Sequence, residues 1–164
     1  MNHLIEGGAP LRGSAARLLH DGAPRGDAAA RSDGDAGRAV DALYTVAHWL
    51  VGAARYRDAA SVFRLMAISA PADERAWLGL GACHEALGQS AHALVTYGTG
   101  RALSPSGARI EIARARLLEA LGRDDEAEGA WSAARTKAEG DDALLELFDG
   151  APGDAWSASA EVAR

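Results

Sequence analysis

Cysteine is almost absent from this sequence, and long apolar runs are missing altogether. The one cysteine, Cys83, excludes an internal disulfide and fits a reduced compartment. No stretch approaches the roughly 18–20 apolar residues that a membrane-spanning helix needs, which argues against membrane insertion. The first residues, Met1 to Glu6, lack the basic and apolar segments of a secretory signal. Together these absences predict a cytoplasmic protein.

An excess of basic charge is missing as well. The 164 residues carry a formal net charge of -6. Residues 38–139 hold equal numbers of basic and acidic side chains, and most of the negative charge lies in residues 140–164. A nucleic-acid-binding surface requires clustered Lys and Arg. Nucleic acid is therefore not expected among the partners.

Groupings of catalytic or metal-binding residues are also lacking. His84 and Glu85 begin like the helix of zinc proteases, but that motif needs a second histidine four residues after the first, where this chain has Gly88. Gly79 and Gly81 resemble the start of a dinucleotide fingerprint, yet the third glycine is absent. We therefore expect no enzyme activity, no catalytic residue, no metal and no cofactor.

The sequence does contain alanine-rich segments with an internal repeat. Hydrophobic residues make up 48% of the chain, and alanine, which favours helix, dominates them. Several positions recur at a spacing of 34 residues, the period of tetratricopeptide arrays. These positions are Leu50, His84 and Leu118; Ala59, Ala93 and Ala127; Phe63, Tyr97 and Trp131; Pro71 and Pro105; and Gly88 and Gly122, with Ala54 in the first copy.

The packing of a helix pair explains why these positions recur. Gly81 permits the close approach of a partner helix, Ala93 is small where the two helices cross, and Tyr97 fills the adjacent space. Gly88 falls where the first helix must end and turn, a position that tolerates a left-handed conformation. The third copy is weaker, because the charged Glu111 replaces an expected apolar residue.

We therefore predict an all-α fold, a right-handed tetratricopeptide superhelix of three helix pairs with a C-terminal capping helix. The two aspartates at 141 and 142 favour the start of that last helix. The flanking segments offer too little apolar surface to offset the entropy of ordering them. Residues 1–37 are predicted to be largely disordered, with one short helix near 11–20. The repeat domain is predicted over 38–149, with repeats 40–73, 74–107 and 108–141 and the capping helix 141–149. A flexible acidic tail is predicted over 150–164.

The expected binding surface is the concave groove of the array, which is formed by first-helix residues that turn away from their own second helix. In the repeat register these are the second, fifth, ninth and twelfth positions. Their mixture of apolar and charged side chains suits an extended peptide with spaced apolar anchors. The alternative is that some of them pack against the flanking segments. The predicted groove residues are Asp41, Tyr44, His48 and Val51; Arg75, Leu78, Ala82 and Glu85; and Arg109, Ile112, Arg116 and Glu119.

Several runs within residues 40–139 resemble the class II chaperones of bacterial type III secretion. The runs 43–47 and 55–63 are similar to the first repeat of that family, and 77–83 followed by 86–89 is similar to the second. The resemblance implies a cytosolic chaperone whose groove binds an extended segment of a hydrophobic translocator protein. In the first repeat, His48 and Val51 stand where the family usually has aromatic residues.

Other partners stay open at this point. Many members of that family dimerise through the N-terminal region, so the resemblance leaves a homodimer open, and some members also bind transcription regulators. Because many functions share the repeat fold, a generic tetratricopeptide adaptor or regulatory scaffold is the main alternative to the chaperone.

Overall fold

The computed structural model describes residues 34–104 and 106–139, and within these ranges every regular element is a helix. The predicted N-terminal helix, capping helix and tail lie outside the described residues. The helices are α1 Gly34–Gly52, α2 Tyr56–Ser69, α3 Glu74–Ala86, α4 Ser90–Leu103, α5 Ala108–Ala120 and α6 Asp124–Ala138.

The six helices follow one another as three pairs joined by short turns. The first four helices belong to one compact unit that ends at Pro105, and α5 and α6 belong to a second unit that begins at Ser106. In the first unit α1 packs on α2, α2 on α3, and α3 on α4; in the second unit α5 packs on α6. The predicted all-α fold of three helix pairs is confirmed for the described residues.

Within each pair, the turn contains one residue with a left-handed backbone. The φ angles are 71° at Gly88, 68° at Gly122 and 56° at Ala54. The amide of the following residue closes the turn by donating to a carbonyl five residues earlier; in the first pair, Arg55 N donates to Leu50 O at 2.9 Å. A left-handed conformation costs a non-glycine residue roughly 1–2 kcal/mol. The 34-residue recurrence at this position therefore has a backbone cause, and Ala54 is strained.

Two glycines of α3 allow aromatic rings to lie directly on its backbone. A Cβ atom at Gly79 would lie within 2.6 Å of three ring carbons of Phe63, and one at Gly81 within 2.7 Å of three ring carbons of Tyr97. Both rings are fully buried, as is Ala93 on α4. Helix α3 is thus held between α2 on one side and α4 on the other by ring-to-glycine contacts.

The charged residue that interrupts the apolar pattern of the third repeat is accommodated by ion pairs. Glu111 on α5 is 1% exposed. Its carboxylate lies 3.6 Å from Arg114 on the same helix and 3.6 Å from Lys137 on α6. A buried carboxylate with cationic partners costs far less than an isolated one. Helix α5 therefore extends over the full Ala108–Ala120 despite this residue.

Candidate functional site

The predicted groove residues lie on the first helix of each pair, and their exposure divides them into two classes. The apolar members Tyr44, Leu78, Ala82 and Ile112 are buried, at 5, 2, 0 and 0% exposed. The other members are more exposed. The half-buried members are His48, Val51, Arg75, Glu85, Arg109, Arg116 and Glu119, and Asp41 is exposed.

In the first unit, Arg75 occupies the second position of its repeat, and ion pairs hold its side chain in place. Its guanidinium donates to Asp73 at distances of 2.7 to 3.2 Å and to Asp41 on α1 at 3.0 Å. The hydrogen bond to Asp73 is the main reason that the pKa of Arg75 is raised, although burial acts against it. The same guanidinium lies over the Tyr44 ring, 5.0 Å from its centroid. Arg75 thus links α1 to α3 and covers one face of an aromatic residue.

Tyr44 is the centre of a small aromatic group on the first pair. Its ring meets Phe63 of α2 edge-on, with centroids 6.3 Å apart. It also lies 6.0 Å from the ring of His48, one helical turn further along α1. Edge-on aromatic pairs contribute about 0.5–1.5 kcal/mol beyond their buried area. The group fixes Tyr44 as part of the protein core.

The twelfth position of the first helix carries a repeated hydrogen bond that the sequence analysis did not predict. The Tyr97 hydroxyl donates to Glu85 Oε1 at 2.5 Å. In the second unit, Trp131 Nε1 donates to Glu119 Oε1 at 2.7 Å. In each case the donor is the large aromatic residue of the second helix, twelve residues after the glutamate. Glu85 and Glu119 are therefore anchored to their own helix pairs.

The first pair replaces this polar contact by an apolar one. The residue 34 positions before Glu85 is Val51, and the residue 34 positions before Tyr97 is Phe63, which has no polar atom on its ring. Both partners change together, so neither is left with an unpaired polar group. That joint change is a signal in the sequence from which the pairing could have been inferred.

Burial raises the pKa values of three side chains in the second helix pair. Burial raises the pKa of Glu85 above its ordinary value, and the hydrogen bond from Tyr97 offsets only part of that effect. Burial likewise raises the pKa of the Tyr97 hydroxyl, with a further contribution from the Glu85 charge. The nearby thiol of Cys83 is fully buried, which raises its pKa to about 12. It is therefore protonated and shielded at neutral pH.

In the second unit, Arg116 lies over the ring of Trp131, with its guanidinium carbon 5.9 Å from the centroid. A guanidinium at this distance from an indole gains a cation–π attraction of about 0.5–1 kcal/mol at exposed sites. Trp131 therefore holds two predicted groove residues of α5, Arg116 through its ring and Glu119 through its indole N–H.

None of the helices in the described ranges is long and apolar enough to cross a membrane. In the same part of the chain, no group of three or more His, Cys, Asp or Glu side chains is arranged to hold a metal ion.

No family model matches the chain. The low calcium response locus protein H of Yersinia pestis is 33% identical over 89 residues, which cover 54% of this chain and 53% of that protein. The chain thus spans about half the length of the curated relatives that it matches. The Yersinia enterocolitica type III secretion translocator chaperone SycD superposes with a TM-score of 0.63 at 29% identity, covering 68% of this chain and 83% of that one.

This chain has the fold of a type III secretion translocator chaperone. The predicted resemblance to that family is confirmed by sequence and by structure. PcrH in complex with the chaperone-binding region of PopD is similar too, with a TM-score of 0.65 at 27% identity over 76% of this chain and 94% of that one. SycD has also been solved with a peptide of the translocator YopD, and that structure matches with a TM-score of 0.62 at 28% identity over 68% of this chain and 86% of that one.

Proposed function

We propose that this protein is a cytosolic chaperone that binds hydrophobic translocator proteins of a type III secretion system and keeps them soluble and competent for secretion. The observation that supports this function is the likeness to SycD, which was crystallised with a peptide of the translocator YopD, and to PcrH, which was crystallised with the chaperone-binding region of PopD. A hydrophobic translocator protein carries apolar segments that aggregate when they are exposed in the producing cell. A chaperone that covers such a segment prevents this loss.

The residues that we propose to contact the client are the groove residues of each unit. Their apolar members are almost fully buried, whereas the half-buried members can be reached from solvent. Among the half-buried members, Val51 is apolar, and His48 lies one turn before it on α1. We therefore expect an apolar side chain of the client to contact Val51 and His48 in the first unit.

The test is co-expression of the chain with a translocator protein from the same secretion system, followed by measurement of the soluble client. A lysine in place of Val51 would put a charge where an apolar anchor must be desolvated, so Val51→Lys should lose most of the soluble client. Val95 on α4 is 70% exposed and provides the matched control, because Val95→Lys introduces the same charge outside the groove residues.

The two variants separate folding from binding. Both should unfold at temperatures close to that of the wild type, because a half-buried or exposed lysine can extend its ammonium group to water. If the wild type itself fails to hold the translocator in solution, the chaperone function is wrong. If Val51→Lys and Val95→Lys both hold the client as well as the wild type does, the site lies elsewhere on the molecule.

A further inference from the structure

The repeated glutamates of the second and third pairs each have one oxygen left for a ligand. Oε1 of Glu85 accepts from Tyr97, and Oε1 of Glu119 accepts from Trp131. No donor among residues 34–104 and 106–139 reaches Oε2 of either side chain, and both side chains are only half-buried. A carboxylate can accept about four hydrogen bonds, so each has capacity that its own helix pair does not use.

These carboxylates are also held in place before any ligand arrives. Tyr97 is fully buried and its ring lies on Gly81, so the hydroxyl that anchors Glu85 cannot move far. Trp131 is 4% exposed and anchors Glu119 in the same way. A side chain that is fixed beforehand loses little conformational entropy on binding, which increases the affinity that each new hydrogen bond contributes.

We propose that the second oxygens of Glu85 and Glu119 accept hydrogen bonds from N–H groups of the bound client segment, and that backbone amides of an extended chain supply them. This inference rests on the proposed function, because it concerns the same groove residues. An extended segment has backbone amides with no partner of their own, and these must be satisfied when the segment is taken out of water. Val51, in the first pair, has no acceptor and binds an apolar side chain instead.

The chain itself provides the matched variant for the test. The double change Glu85→Val with Tyr97→Phe copies the apolar Val51–Phe63 pair of the first repeat into the second. It removes the acceptor without leaving the buried tyrosine hydroxyl unpaired. This variant should therefore remain folded, with a thermal midpoint near that of the wild type, and should bind the client at least about tenfold more weakly, as expected for loss of a hydrogen bond to a charged group.

Glutamine variants test whether a second carboxylate oxygen is needed. Tyr97 is fully buried and its O–H must keep an acceptor, so in Glu85→Gln the single amide oxygen stays on the hydroxyl and the amide N–H groups face the client. The indole N–H of Trp131 only donates, so in Glu119→Gln the oxygen likewise stays on the indole. Both variants should therefore weaken binding about tenfold or more.

The measurement is fluorescence anisotropy of a labelled peptide of the PopD chaperone-binding region, titrated with each full-length variant below its unfolding temperature. Glu128→Gln on α6 is the control, because Glu128 is exposed and is not a groove residue. If the affinity difference between Glu85→Gln and the wild type disappears in about 1 M salt, the donor is a lysine or arginine side chain and not a backbone amide, which overturns that part of the proposal. If the folded double variant binds as tightly as the wild type, the inference is overturned. If the wild type binds neither this peptide nor the translocator of the co-expression test, the proposed function fails first.

Discussion

Replacing Gly81 by alanine tests the packing of the second helix pair most sharply. The added Cβ would lie within 2.7 Å of three ring carbons of Tyr97, which is well below the van der Waals contact distance between two carbon atoms. The ring cannot swing aside, because Tyr97 is 0% exposed and its hydroxyl is bonded to Glu85. Overlap of this kind in a packed core typically costs about 1–3 kcal/mol.

Alanine also stabilises a helix relative to glycine, by roughly 0.5–1 kcal/mol. This gain must be separated from the cost of the overlap with Tyr97. Gly98 of α4 isolates that benefit, because a Cβ there would meet nothing within 4 Å. We expect Gly98→Ala to raise the free energy of unfolding by about 0.5–1 kcal/mol. We expect Gly81→Ala to lower it by about 0.5–2 kcal/mol, which is the overlap cost reduced by the same helix benefit.

Urea unfolding followed by circular dichroism measures both variants under the same conditions. The reasoning predicts changes of opposite sign from the same chemical substitution. Two variants that are both stabilised would show that the ring of Tyr97 does not lie against Gly81. Two variants that are equally destabilised would show that α4 is packed at Gly98 in a way that the structure does not contain.

Three further outcomes follow from the described residues. Ala54→Gly should raise the unfolding free energy by about 0.5–1 kcal/mol by relieving the left-handed backbone, and Gly88→Ala should lower it by about 1 kcal/mol; urea unfolding of the pair checks this, and equal signs would refute it. The folded protein binds a proton at Glu85 more tightly than the unfolded chain does, so this contribution to stability is complete below the ordinary pKa of 4.5 and is lost as the pH rises through the higher folded pKa. The stability of Glu85→Gln relative to the wild type should therefore increase between about pH 4 and pH 7, and a constant difference would contradict the raised pKa. Cys83, with its pKa of about 12, should not react with a thiol reagent at pH 8 until the protein unfolds, so fast labelling of the native protein would place the thiol at the surface.

The sequence allowed the helix pairs to be predicted because the requirements at the repeated positions are local. A left-handed turn residue at Gly88 and a small residue at Ala93 are needed by any helix pair with this spacing, and both are found where predicted. The structure supplies the same explanation for Ala54, where the sequence lacks the glycine but the backbone still adopts the left-handed conformation. The 34-residue spacing was therefore enough to predict the helix pairs.

Side-chain partners were harder to predict, because they depend on how two helices face each other. Glu85 was assigned to the groove from its position in the repeat alone, and the structure adds a hydrogen bond from Tyr97 that uses one of its two oxygens. The same holds for Arg75, which interacts with Asp73, Asp41 and the Tyr44 ring.

The exposure of the groove residues was also not predictable from the sequence. Leu78 was predicted as a groove residue, and it is only 2% exposed. A carboxylate at that position would be buried without a partner, so Leu78→Glu should unfold the protein as well as disturb binding. Half-buried residues such as Val51 are therefore the better positions at which to test binding alone.

The most direct test of the account is site-specific photo-crosslinking in cells that co-express the chain with its translocator. A photoreactive residue replaces Val51 on α1 in one variant and Val95 on α4 in the other, and the soluble complex is irradiated. The account predicts that the variant at Val51 forms a covalent product with the translocator and that the variant at Val95 does not. A product from Val95 alone, or none from either position while the complex still forms, would contradict the proposed binding face.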